Sequence, residues 1–142
     1  MIGHEIHCFK NVGLKQLKEA TSYCQLLDAR QILPRSRQES DDLLRALLSM
    51  NLSSEGGKTL VSLGIHNSTE GWYDSAGQLV SYFNWLPDEP DDLSGRKNYA
   101  GLEIDESNDS AGWADYSSTN ELNVVCTKTT GKGKNNILLL IY

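Results

Sequence analysis

Between residues 14 and 29 the chain reads LKQLKEATSYCQLLDA. Leu14, Leu17, Ala20, Cys24 and Leu27 recur at helical spacing, which predicts an amphipathic helix with one apolar stripe. A second helix is expected after Pro34. Ser36 and Glu39 have the spacing of a capping box, and Leu43, Leu44, Leu47 and Leu48 form the buried face. The glycine pair in SSEGGK breaks this pattern.

Beyond it the period shortens. TLVSLGI (59–65) predicts a mostly buried strand, and GWYD (71–74) and LVSYFNW (79–85) predict two more, with turns at NSTE and SAGQ. NYAGLEI (98–104), GWADY (112–116) and LNVVCTK (122–128) continue the series. Two helices followed by short strands indicate an α+β domain with an antiparallel sheet. No internal repeat is visible. The reading divides the chain into a domain over 1–128 and a C-terminal tail over 129–142, where TTGKGKNN is linker-like and ILLLIY has no obvious partner.

The length, 142 residues, suits one domain with a real core. Apolar residues make up 39% and charged residues 23%, which is ordinary for a globular protein. The net charge of −6 and the lack of a basic, aromatic-laced stretch argue against nucleic acid and favour cations as ligands. The opening residues lack the apolar core of a signal peptide, and ILLLIY is far shorter than the roughly 20 residues that cross a bilayer. Three sequons, at Asn51, Asn67 and Asn108, nevertheless suggest glycosylation and a secreted or ectodomain fragment whose targeting segment lies outside this sequence.

Candidate chemistry concentrates in LPDEPDD, residues 86–92. Asp88, Glu89, Asp91 and Asp92 crowd around Pro90. Like charges this close repel unless something neutralises them, and the proline fixes the chain there. Hard oxygen ligands on a rigid loop suit Ca²⁺. Other constellations carry less. His4 and His7 flank a glutamate, but His66 is the one further histidine and no zinc ligand spacing exists. Trp72, Trp85 and Trp113 sit in strand contexts and read as core. Glu89 and Asp115 could pair as in a glycosidase, yet no activating partner or nucleophile arrangement accompanies them, so an enzyme is not expected. GKGK lacks the context of a phosphate loop.

The three cysteines, Cys8, Cys24 and Cys126, allow at most one internal bond. Pairing Cys24 with Cys126 would close a loop of about 100 residues, worth roughly 4–5 kcal/mol in the chain-entropy model. Three reduced thiols are the alternative.

Over roughly residues 8–128 the sequence resembles a C-type lectin-like domain. LVSLGI matches the family's buried strand, and EGWYDSAGQLVSYFNW its segment leading to Asn-Trp. EPD at 89–91 resembles the Glu-Pro-Asn motif, and WAD at 113–115 resembles Trp-Asn-Asp. The resemblance implies two helices plus short antiparallel strands with a long loop region. It also implies a Cys24–Cys126 disulfide, with Cys8 matching the second cysteine of an N-terminal hairpin. The family's second disulfide would fall near Gly101 and Ser118, where neither residue is cysteine.

The same resemblance implies one Ca²⁺ held by Glu89, Asp91 and Asp115, with a cis Pro90 turning the first two inward. Ala114 has no oxygen to offer, and in GRKNY only Asn98 could add a ligand. Glu89, Asp91, Asn98 and Asp115 are thus the expected calcium and carbohydrate residues. Two amide donors of the family are lost at Asp91 and Ala114, so calcium and sugar binding are both expected to be weak. The implied function is glycan or glycoprotein recognition outside the cell. A calcium-independent module of the same fold that binds a protein ligand is the alternative.

Overall fold

A computed structural model describes residues 3–92, 95–134 and 138–141, with side chains over 7–92 and 95–129. The chain runs β1 (Gly3–Gln16), α1 (Leu17–Leu26), β2 (Arg30–Gln31), α2 (Arg37–Leu48), β3 (Lys58–Ser68), β4 (Gly71–Asp74), β5 (Tyr99–Asp105), β6 (Ser110–Tyr116), β7 (Glu121–Lys134) and β8 (Leu138–Ile141). One sheet has the order β6-β5-β3-β7-β1-β8, with β2 added on β7 and β4 on β3. The α+β class is as expected. The sheet is mixed, because β3 meets β7 in parallel at Val61 and Asn123, and β8 runs parallel to β1.

The first helix begins three residues later than its apolar stripe suggested. Leu14, Lys15 and Gln16 instead pair with Asn123, Leu122 and Glu121 on β7, leaving Leu14 half-exposed. No side chain caps α1. Its first amides donate to loop carbonyls instead, Leu17 N to Asn120 O at 3.0 Å and Lys18 N to Ser118 O at 3.0 Å. That arrangement meets the need of an open helix start by tertiary contact. At α2 the Ser36 hydroxyl accepts from Glu39 N at 3.1 Å, while Glu39 accepts from Arg35 N rather than from Ser36. The buried face is Leu43, Ala46 and Leu47. Leu48, expected inside, is exposed, since Ala46 takes the core-facing position.

The stretch 79–85 is extended but is not a strand of the sheet. It makes isolated bridges, Tyr73 to Leu79 and Trp85 to Trp113. Its apolar residues serve packing instead: Val80 is buried and Tyr82, Phe83 and Trp85 lie against the core. The ring of Trp113, which is 1% exposed, receives Tyr82, Phe83 and Trp85 at T-shaped geometry. Trp72 is buried beside Trp85, so the tryptophans form core.

A second cluster under α1 joins Ala20, Cys24, Ala29, Val124 and Cys126. Cys24 and Cys126 are disulfide-bonded across 102 positions of sequence. Cys8 is buried on β1 and is not part of that disulfide. Where the family's second disulfide would lie, a side chain at Gly101 would meet Leu122 Cδ2 at 2.4 Å and Tyr116 Cε2 at 3.0 Å. Leu122 and Tyr116 fill that space.

Candidate functional site

Between β4 and β5 the chain makes a long excursion, residues 75–98, and β6 fastens it twice. The backbone of Trp113 donates to Asn84 O at 2.8 Å and accepts from Leu86 N at 2.9 Å, which fixes the segment just before the acidic run. Gly112 permits this approach, because a Cβ there would stand 2.7 Å from Leu86 Cδ2. Two residues on, the Asp115 side chain fixes the acidic run itself. Its Oδ1 accepts from Asp91 N at 3.1 Å and its Oδ2 from Asp92 N at 3.0 Å. Asp115 is 3% exposed, and charge-assisted bonds of this kind are among the stronger ones.

The Glu89–Pro90 peptide bond is cis, as the resemblance implied. Glu89, Asp91 and Asp115 each present a carboxylate oxygen within 4.8 Å of the others. Glu89 Oε1 is buried and accepts no hydrogen bond among the described residues. Burial raises the Glu89 carboxyl above its ordinary range, and the neighbouring Asp115 and Asp91 push it further the same way.

The remaining expected residues lie differently. Asp88 is exposed. Asp92 turns onto its own loop, its Oδ1 accepting from Lys97 N at 2.9 Å. Asn98 is exposed and its carbonyl accepts from Asn67 N at 2.8 Å. Among the described residues no hydrogen bond joins its side chain to the three carboxylates. The side chain that does arrive from this segment is Lys97, whose Nζ lies 2.7 Å from Asp91 Oδ1. The hydrogen bond from Lys97 draws the Asp91 carboxyl down, and the same contact raises the Lys97 ammonium. Sequence reasoning missed it because a search for oxygen ligands passes over a lysine.

Of the sequon residues, Asn51 and Asn108 are exposed and Asn67 is half-buried on β3. Asn108 Nδ2 donates to Asp105 Oδ2 at 2.9 Å. His7 lies on β1 in a ring contact with Phe9, and the His4 side chain falls outside the described residues. The carboxylate trio is the one potential metal-ligating group of three or more such residues among those described.

A hard cation fits this donor set. Ca²⁺ takes carboxylate and carbonyl oxygens in flexible geometry, and an orphaned buried carboxylate oxygen is the feature such an ion relieves.

Comparison with solved structures places the fold among lectin domains. The carbohydrate-recognition domain of the mouse scavenger receptor C-type lectin superimposes with a TM-score of 0.70 at 20% identity, covering 88% of this chain and 92% of that one. The C-type lectin CEL-I from Cucumaria echinata gives 0.67 at 20% identity, covering 85% and 89%. The cow C-type carbohydrate-recognition domain of CD23 gives 0.63 at 22% identity, covering 88% of each chain. No curated protein matches the sequence. The model of the lectin C-type domain matches residues 14–128. Over that span, which takes in both helices, the disulfide and the carboxylate loop, the chain belongs to the C-type lectin domain family.

Proposed function

We propose that this chain is a non-enzymatic, extracellular carbohydrate-recognition module that uses one weakly held Ca²⁺ at Glu89, Asp91 and Asp115. The observation that carries the reading is the convergence of three carboxylates around a buried Glu89 oxygen that has no hydrogen-bond donor among the described residues. When bound, the ion supplies positive charge and open coordination positions for a sugar's vicinal hydroxyls. The chain's own residues do the rest. Asp115 holds the backbone of Asp91 and Asp92, Glu89 and Asp91 accept from sugar hydroxyls, and Asn98, next to Lys97, offers an amide at the rim.

Glycan recognition is supported by the family and by the cow CD23 domain, whose crystal structure was determined in the presence of a GlcNAc2Man3 oligosaccharide. With ligands reduced to three carboxylates, affinity for Ca²⁺ belongs in the range of about 10⁻⁴–10⁻³ M found for extracellular modules. Lys97 on Asp91 favours a second reading, a calcium-independent module for a protein ligand.

The test is a glycan array probed in Ca²⁺ and in EDTA, paired with thermal unfolding. At 10 mM Ca²⁺ and a dissociation constant of about 1 mM, native-state binding adds about 1.4 kcal/mol. Glycan binding lost in EDTA, and a Ca²⁺-dependent rise in midpoint lost in Asp91→Ala, are expected. Equal glycan binding in both buffers, or no midpoint shift, would overturn the calcium reading.

A further inference from the structure

The three acidic side chains of the site are not alone. A cation of the chain's own is delivered to them by a relay of hydrogen bonds. Asp115 Oδ2 accepts from Asp92 N, Asp92 Oδ1 accepts from Lys97 N at 2.9 Å, and Lys97 Nζ then reaches Asp91 Oδ1 at 2.7 Å. The buried carboxylate that would ligate an ion therefore also positions the residue that pairs with Asp91 without one. Lys97 is one-third exposed, as is Asp91, so the ammonium is held at the mouth and has room to swing into solvent. It is the described cation paired with this cluster. Lys58, another lysine in an ion pair, serves Glu103 instead.

Resting on the calcium reading above, we propose that Lys97 is a specificity-determining competitor: its ammonium and Ca²⁺ contend for Asp91, and the ion must displace the lysine to bind. Two cations cannot share one carboxylate oxygen without mutual repulsion, which grows as the site becomes less solvated. Lys97 thus weakens Ca²⁺ binding beyond what the missing Ala114 oxygen costs. It also relieves the repulsion among Glu89, Asp91 and Asp115 when no ion is present.

The experiment is calorimetric titration of Ca²⁺ into the metal-free protein, comparing wild type with Lys97→Met, Lys97→Arg and the double variant Lys97→Met/Asp91→Ala. Removal of the ammonium is expected to lower the dissociation constant tenfold or more. Lys97→Arg, which keeps a cation at the position, should stay near wild type, and the double variant should bind no ion. Binding by Lys97→Met where wild type shows none supports the same conclusion. Equal affinity of wild type and Lys97→Met, with binding lost in the double variant, removes Lys97 from the account and leaves the calcium site standing. Absence of binding in both wild type and Lys97→Met overturns the calcium reading and this inference with it. Circular dichroism of each variant checks that the half-buried substitutions leave the fold intact.

Discussion

Replacing Asn123 by alanine isolates one buried polar side chain. Asn123 is 1% exposed on β7, and every donor and acceptor bond it makes goes to backbone. Its Oδ1 accepts from Ser53 N at 3.0 Å, and its Nδ2 donates to Ser53 O at 2.8 Å and Leu60 O at 2.9 Å. It thereby ties the segment after α2 to the point where β3 and β7 meet. Ser53 is exposed, so in Asn123→Ala its amide and carbonyl can turn to water, and each lost bond counts at about 1 kcal/mol. The Leu60 carbonyl lies deeper, and a stranded acceptor costs about 1–3 kcal/mol. The sum is about 3–5 kcal/mol. With an m-value of about 2 kcal/mol/M, the urea midpoint falls by about 2 M at unchanged slope. Equilibrium unfolding followed by tryptophan fluorescence, with the disulfide kept oxidised, measures it. A fall under about 0.5 M would refute the reasoning, because the three bonds would then be holding nothing that water could not replace.

Two further perturbations test the frame. Cys24→Ser/Cys126→Ser releases a constraint across 102 positions, and the chain-entropy model puts the loss at about 4–5 kcal/mol, read as a lower denaturant midpoint. An unchanged midpoint would show that the bond follows the fold without stabilising it. At Asp74, burial alone would raise the carboxyl, but the Arg35 guanidinium at 2.8 Å and the Gln78 and Ala76 amides outweigh it and leave the group below its ordinary value. A lowered carboxyl stabilises the fold above the unfolded value of about 3.9 and loses that stabilisation as pH falls through the folded one. Asp74→Asn should therefore melt lower than wild type at pH 6, with the gap closing below about pH 4. A gap that persists unchanged at pH 2.5 would exclude the ion pair as its source.

Much of this was legible in the chain itself, and the failures have physical causes. The helical stripe at Leu17, Ala20 and Cys24 and the Ser36 cap are local signals, and both elements formed where those signals lay. Leu14 shares the stripe's spacing but belongs to β1, because pairing with β7 is a long-range contact that periodicity does not report. The same holds for β1 as a whole, whose polar-rich GHEIHCFKNVGLKQ carries little alternation. In LVSYFNW, Val80, Tyr82, Phe83 and Trp85 pack on the core while Leu79 is exposed, and burial in a loop packed on Trp113 looks the same as burial in a strand. At the site, carboxylates and proline announced themselves by type. Lys97 did not, since its role depends on the relay through Asp92 and on where a long side chain ends.

The closing residues, which appeared to lack a partner, bear on self-association. An outermost strand exposes a row of unpaired amides and carbonyls on which another molecule can add, and the hazard grows with length. Strands β1 and β7, each of fourteen residues, are the longest. Because β8 lies against Ile6–Phe9, part of the outward side of β1 is already occupied, and the path through the sheet ends on strands of seven and four residues. Over Ile6–Phe9 the outermost strand is thus the four-residue β8 in place of the fourteen-residue β1, a shorter template for another chain to add to.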